Sequence, residues 1–141
     1  MKDKKTAIDF FSKDIFAVET TGIQIEEVQD DYVICSLEIK NKHLNAAGYV
    51  MGGVMFTLAD FTFAVAANTK DTYTVSLSSS INFVRATKGP ILYAKSCCVN
   101  SGKTICFYEI TLYDSPERIV STVTINGFIK KNNSKMPPYL K

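Results

Sequence analysis

The chain has 141 residues, 46% apolar and 21% charged, a composition that fits one globular domain and excludes a disordered chain. Sixteen basic against fourteen acidic residues leave a net charge of +2 with no dense basic run, which argues against nucleic acid as the main partner. No stretch is long and apolar enough to span a bilayer, and the N-terminal MKDKKTAIDFFSKDIF lacks the apolar core of a signal peptide; a cytoplasmic protein with no membrane partner is expected.

Residues 6–16 place Ala7, Ile8, Phe10, Phe11, Ile15 and Phe16 close to helical spacing and predict a short amphipathic helix on the domain edge, closed before Gly22. Ile23, Ile25 and Val28 suggest a strand that turns at Asp30-Asp31. Residues 32–40 alternate, with Val33, Cys35, Leu37 and Ile39 on one face and Ser36, Glu38 and Lys40 on the other, the pattern of a half-buried strand.

Next comes HLNAAGYVMGGVMFTLADFTFAVAAN, residues 43–68, around which the chain is organised. A polar loop of small residues passes through Gly52-Gly53 into an apolar run broken only by Thr57, Asp60 and Thr62. Alanine, leucine and methionine favour helix, the glycines mark its start, and a helix apolar on nearly every side is a buried one. About 15 residues give roughly 22 Å, too short for a membrane. Asp60 is the anomaly, a carboxylate two turns into that helix.

A polar turn is expected at 70–72, then a strand over 74–83 with Val75, Leu77, Ile81 and Phe83 on one face and Ser76, Ser78, Ser80 and Asn82 on the other. Lys88-Gly89-Pro90 ends it. Strands over 91–99, 104–113 and 119–129 follow, joined at Asn100-Ser101-Gly102 and at 114–117. The order predicts an α+β class, one antiparallel sheet curling around one apolar helix. Residues 1–22 form the N-terminal helix and connection, 23–130 the domain, and 131–141 a peripheral tail.

Cys35, Cys97, Cys98 and Cys106 lie in strand-like segments and read as small, reduced core residues. They form no CxxC pair, and the single His43 cannot complete a Cys/His zinc set, so no metal is expected. No spacing supports a Cys–His43 nucleophile pair.

The chemistry concentrates in Asn45-x-x-Gly48-x-x-Met51-Gly52-Gly53 and Asp60. Glycines at a helix start let a ligand approach the backbone, where free N–H groups and the dipole favour developing negative charge. That outlines an oxyanion hole, with Asp60 as general base on water or as nucleophile. The alternative is that the glycines only make a tight turn and Asp60 is paired or faces solvent.

These residues resemble the hotdog-fold thioesterases of the phenylacetate-degradation (PaaI-like) type, whose pattern is N-x-x-G-x-x-H-G-G followed by a helix with L-x-D. Asn45, Gly48, Gly52, Gly53 and Leu58-Ala59-Asp60 match it, as do SSSINFVRATKGP and NSGKTICFYEITLYD further on, so the likeness runs from about Val28 to Ile129. The resemblance implies that Asp60 is the catalytic carboxylate, that the Gly52 N–H polarises the thioester carbonyl, and that Asn45 orients water or the carboxylate. Ser76 falls where some members place a hydroxyl near the reacting centre, or is one serine of a polar strand face. Met51 stands where the family usually has His and offers neither N–H donor nor proton shuttle, though with Gly53 it still borders the substrate. Arg85 and Lys88 either meet the phosphates of coenzyme A or are solvated loop charges. The implied function is hydrolysis of an acyl-CoA thioester by a homodimer or dimer of dimers, with no cofactor beyond the coenzyme A of the substrate. The alternatives are a non-catalytic hotdog module that binds acyl-CoA and a hotdog hydratase, which would need a His on the central helix.

Overall fold

The computed structural model describes residues 3–68 and 72–131. The predicted turn at 70–72 lies mostly, and the C-terminal tail past 131 entirely, outside the described residues. Helix α1 spans Lys4–Phe11, shorter than the 6–16 predicted. Asp3 caps it, accepting from Thr6 N at 2.8 Å, and Ser12 closes it. The apolar residues beyond, Ile15 and Phe16, belong to a second piece, a wide π-helical turn over Phe16–Thr21. Gly22, at φ 95°, ends that turn in the left-handed region where glycine carries no steric cost. Phe11 anchors α1 to the body by an edge-on contact with Phe61, ring centres 5.8 Å apart.

Strands β1 (Gln24–Val28) and β2 (Val33–Glu38) form the first hairpin. A short 3-10 turn, Asn41–His43, leads through the loop to helix α2, Gly52–Ala67, which starts at the predicted glycine. Strands β3 (Thr72–Phe83), β4 (Ile91–Ser101), β5 (Ile105–Ser115) and β6 (Arg118–Lys131) complete one six-stranded antiparallel sheet. Its order is β1-β2-β4-β5-β6-β3. The last four strands are therefore not a simple meander: the chain crosses over after β3, which among the described residues pairs only with β6 and forms an edge.

Helix α2 packs across the concave face on β2 to β6. Leu58, Phe63 and Val65 bury fully against Leu37, Leu92, Ile110, Leu112 and Ile125, each large side chain contributing about 1.5–3 kcal/mol. Gly127 lets the helix approach β6: a Cβ there would lie 3.0 Å from the Phe63 ring, 2.8 Å from Cys106 Sγ and 2.7 Å from Thr74 Cγ2. The helix is apolar all round, yet the sheet covers one side only; Gly53 and Asp60 are exposed, and Phe56, Thr57 and Ala64 half-buried. A stripe of Gly53, Phe56, Thr57, Asp60 and Ala64 at helical spacing is thus left outside the cover of the sheet.

Two expectations are corrected. The alternation of β3 breaks because Leu77 is a bulge: Ser76 pairs with Gly127 and Ser78 with Asn126, leaving Leu77 without a partner on β6. Thr74 and Ser76 consequently face the helix before the bulge, while Phe83 reaches it after the bulge, so Val75, Leu77, Ile81 and Phe83 do not share one face. Cys35 and Cys106 are core residues as expected, but Cys97 and Cys98 are exposed, since β4 is buried on one face only as far as Ser96 and both faces are open beyond it.

Candidate active site

The loop before α2 is held by its own backbone and by one buried histidine. His43 Nδ1 accepts from Lys40 N at 2.9 Å, and Nε2 donates to Thr21 O at 2.7 Å. Both ring nitrogens are committed to backbone groups, which leaves none for a cysteine; burial pushes the Cys35 thiol up to about 12, so it is no nucleophile either. Asn45 closes the loop with its carboxamide oxygen, which accepts from Ala47 N at 3.0 Å and Tyr49 N at 3.1 Å. Only its NH₂ end remains to meet a ligand. Gly48 takes φ 85° at the tip, and the loop returns so that Met51 N donates to His43 O at 2.9 Å.

Met51 thereby becomes the N-cap of α2, with a side chain that cannot cap. Val54 and Met55 turn their N–H groups back to Met51 O, at 3.0 and 3.3 Å. The N–H groups of Gly52 and Gly53 have no partner in the helix ladder and stand at the positive end of its dipole. Two side chains flank them. A Cβ on Gly52 would meet the Phe83 ring at 2.9 Å, and one on Gly53 would meet Met51 Cε at 2.9 Å. Phe83 is thus a wall of the site that sequence reading assigned to an ordinary strand face; the bulge at Leu77 decides its direction, and no local residue pattern announces a bulge.

Arg85 and Lys88 lie on the same side of the molecule, because Val50 N donates to Thr87 O at 2.9 Å and joins their loop to the one before α2. Buried Thr87 is itself fixed by Asp114, its hydroxyl donating to Oδ2 at 2.7 Å, and Asp114 faces Arg118 at 3.3 Å. Arg85 spends its Nε–H on Ile119 O at 3.0 Å, and the Lys88 ammonium sits 5.1 Å from the centre of the Tyr49 ring. Asn45, Met51, Gly52, Gly53, Arg85 and Lys88 therefore belong to one neighbourhood at the start of α2.

Asp60 belongs to another. Eight residues beyond Gly52, it lies about 12 Å further along the helix. Ser76 Oγ donates to its Oδ1 across a long 3.5 Å. The carboxylate borders a cleft of about 310 Å³ whose other walls include Thr57 and Phe61 of α2 and Asp14, Ile15 and Phe16 from the turn after α1. Partial withdrawal from water raises the Asp60 pKa above its ordinary value; the Ser76 hydroxyl opposes this and the Asp14 charge adds to it. The contribution of 14–16 was invisible in the sequence, where Ile15 and Phe16 read as one edge of a longer helix. The two neighbourhoods of one chain do not meet at a single carbonyl.

Among the described residues no group of three or more His, Cys, Asp or Glu is placed to hold a metal ion, and no helix is long and apolar enough to cross a membrane. The Thioesterase superfamily model matches residues 47–121, more than half of the chain, a span that holds Met51 to Gly53, Asp60, Ser76, Arg85 and Lys88 but neither Asn45 nor residues 14–16. A relative from Archaeoglobus fulgidus, described only provisionally as an esterase, is 28% identical over 131 residues, 92% of this chain and 84% of its own. The acyl-coenzyme A thioesterase PaaI of Escherichia coli is 27% identical over 101 residues, 71% of this chain and 72% of its own. The solved PaaI structure superposes with a TM-score of 0.80 over 90% of this chain and 95% of that one, at 21% identity. A hypothetical thioesterase of Streptococcus pneumoniae, solved with coenzyme A, gives a TM-score of 0.75 at 27% identity over 88% and 99%. With its six-stranded sheet around one long helix, the chain has the hotdog fold of the PaaI structure and belongs to the thioesterase superfamily.

Proposed function

We propose that the chain hydrolyses acyl-CoA thioesters at a site assembled from the two neighbourhoods. The observation that carries this reading is α2 itself, which presents unpaired N–H groups at Gly52-Gly53 and, two turns on, a carboxylate with a raised pKa. Water adds to the thioester carbonyl carbon while Asp60 takes its proton. The carbonyl electrons move onto oxygen, and the Gly52 N–H donates a hydrogen bond to the resulting oxyanion. The carbon–sulfur bond then breaks, coenzyme A leaves as thiolate and recovers the proton from Asp60, and the free acid remains. If Asp60 acts as nucleophile instead, its oxygen adds first and water cleaves the resulting anhydride. The Asn45 NH₂ orients the water or the carboxylate, and Arg85 and Lys88 meet the phosphates of coenzyme A.

The 12 Å between Gly52 and Asp60, about two helical turns, is too long for both to act on one carbonyl, so the reading requires a second copy whose Asp60 faces the first copy's Gly52. The uncovered stripe of α2 and the unpaired edge of β3 are the surfaces for it. PaaI is named an acyl-CoA thioesterase and the pneumococcal relative was solved with coenzyme A, which favours the same ligand here.

One observation favours a binding module instead: Met51, half exposed and folded over Gly53, supplies no proton donor at the carbonyl. Coenzyme A release across short, long and aryl acyl thioesters separates the two. The parent is expected to turn over at least one class, and Asp60→Asn to lose on the order of 10²–10⁴ in rate with the fold intact. Tight binding of the thioesters without release by the parent establishes the module reading.

A further inference from the structure

The cleft beside Asp60 has a composition that bears on which acyl groups it takes. Its volume, about 310 Å³, is at the lower end of small-molecule sites. Ile15, Phe16 and Phe61 supply apolar surface, and Ile15 and Phe16 are 51% and 65% exposed. The polar groups are two carboxylates, Asp14 and Asp60, and the Thr57 hydroxyl, which is spent on Gly53 O at 2.8 Å. No Lys or Arg lines it. Lys13, next to Asp14 in the chain, has its ammonium over the Phe10 ring, 5.9 Å from the centre.

Asp14 is firmly placed by its backbone, with its N–H on Phe11 O at 3.0 Å and its carbonyl accepting from Val18 N at 2.9 Å. Among the described residues no hydrogen bond reaches its carboxylate, so that group serves no cap and borders the cleft unspent. Resting on the reading that the acyl group of the thioester lies beside Asp60, we propose that Asp14 is a charge filter. The cleft accepts acyl groups that are uncharged or that carry a hydroxyl or ammonium able to donate to a carboxylate, and it rejects acyl groups that end in a carboxylate. An anionic acyl end would enter apolar walls with two like charges and no cation, losing its hydration without compensation.

The test compares butyryl-CoA with succinyl-CoA, equal in chain length and different in the terminal charge, in the parent and in Asp14→Asn and Asp14→Lys. The parent is expected to favour butyryl-CoA. Asp14→Asn should raise the succinyl-to-butyryl ratio of kcat/KM by at least about tenfold, and Asp14→Lys by more. An unchanged ratio overturns the filter, as does an equal loss on both substrates, which marks Asp14 as structural. If the parent releases coenzyme A from neither thioester, the filter is judged by affinity, and the hydrolase reading fails only when long and aryl acyl thioesters are left intact as well. Dissociation constants for the two thioesters then carry the same ratio, with the same outcomes for and against it.

Discussion

At the scale of single residues, the proposed site turns on how two side chains set the basicity of a third. Asp60 must be deprotonated to take a proton from water, so kcat/KM falls as pH drops through its pKa. Since withdrawal from water raises that pKa, the acid limb should lie above the ordinary carboxylate range. The neighbours push in opposite directions. Ser76 donates to the charged form, so Ser76→Ala should move the limb to higher pH; Asp14 repels the charged form, so Asp14→Asn should move it lower. A pH profile of kcat/KM for the three proteins reads both signs, and shifts in the same direction would show that the two side chains do not act through Asp60. Little of this was legible in the sequence. Asp60 stood out because a carboxylate in an apolar helix is conspicuous. Asp14 did not, because it precedes Asp60 by 46 residues and only the fold brings it to the same cleft.

At the scale of elements, α2 is where sequence and structure agree most closely. An apolar run of helix formers after two glycines leaves few alternatives, and the helix begins at Gly52 as expected. Its N-cap is less orthodox. If the missing histidine is what limits turnover, Met51→His should raise kcat on at least one acyl-CoA; no gain on any of them, with the parent binding the thioesters tightly and releasing no coenzyme A, would favour the binding module. Strands were harder to read than the helix, since alternation reveals a buried face but not a bulge or the end of cover. Leu77 shows the first failure and β4 the second: Cys97 and Cys98 continue an apolar strand pattern and nevertheless lie open. An alkylating reagent at neutral pH should therefore modify Cys97 and Cys98 quickly and leave Cys35, whose thiol is pushed up to about 12, and buried Cys106 protected until unfolding. Peptide mapping after a short pulse decides it; early label on Cys35 would contradict the burial seen around it.

At the scale of the whole molecule, the proposed reaction asks for two chains, because Gly52 and Asp60 of one chain lie about 12 Å apart along α2. The outer edge of β3, where Thr74 N donates to Asn68 Oδ1, faces no other strand among the described residues, and Leu77 and Phe83 on it and Val84 just past it are more than half exposed. Natural sheets cover or pair such edges, and a twofold pairing of β3 with its copy would satisfy it while bringing the open stripes of the two α2 helices toward each other. That arrangement would place each Gly52 against the other chain's Asp60. Complementation tests it. Asp60→Asn keeps the N–H donor and loses the base; Gly52→Pro loses the N–H and keeps the base. Proline is tolerated in the first turn of a helix, and the ring it meets is the far end of the half-exposed Phe83, free to swing aside. Each variant alone should be nearly inactive with a native circular dichroism spectrum. Unfolded and refolded together, half the dimers are hybrids with one intact site of two, so up to about a quarter of parental activity should return under random pairing. A mixture that stays inactive although hybrids are shown by mass spectrometry would mean that each chain builds its own site, and a chain that sediments as a monomer while hydrolysing thioesters would rule out the shared site directly.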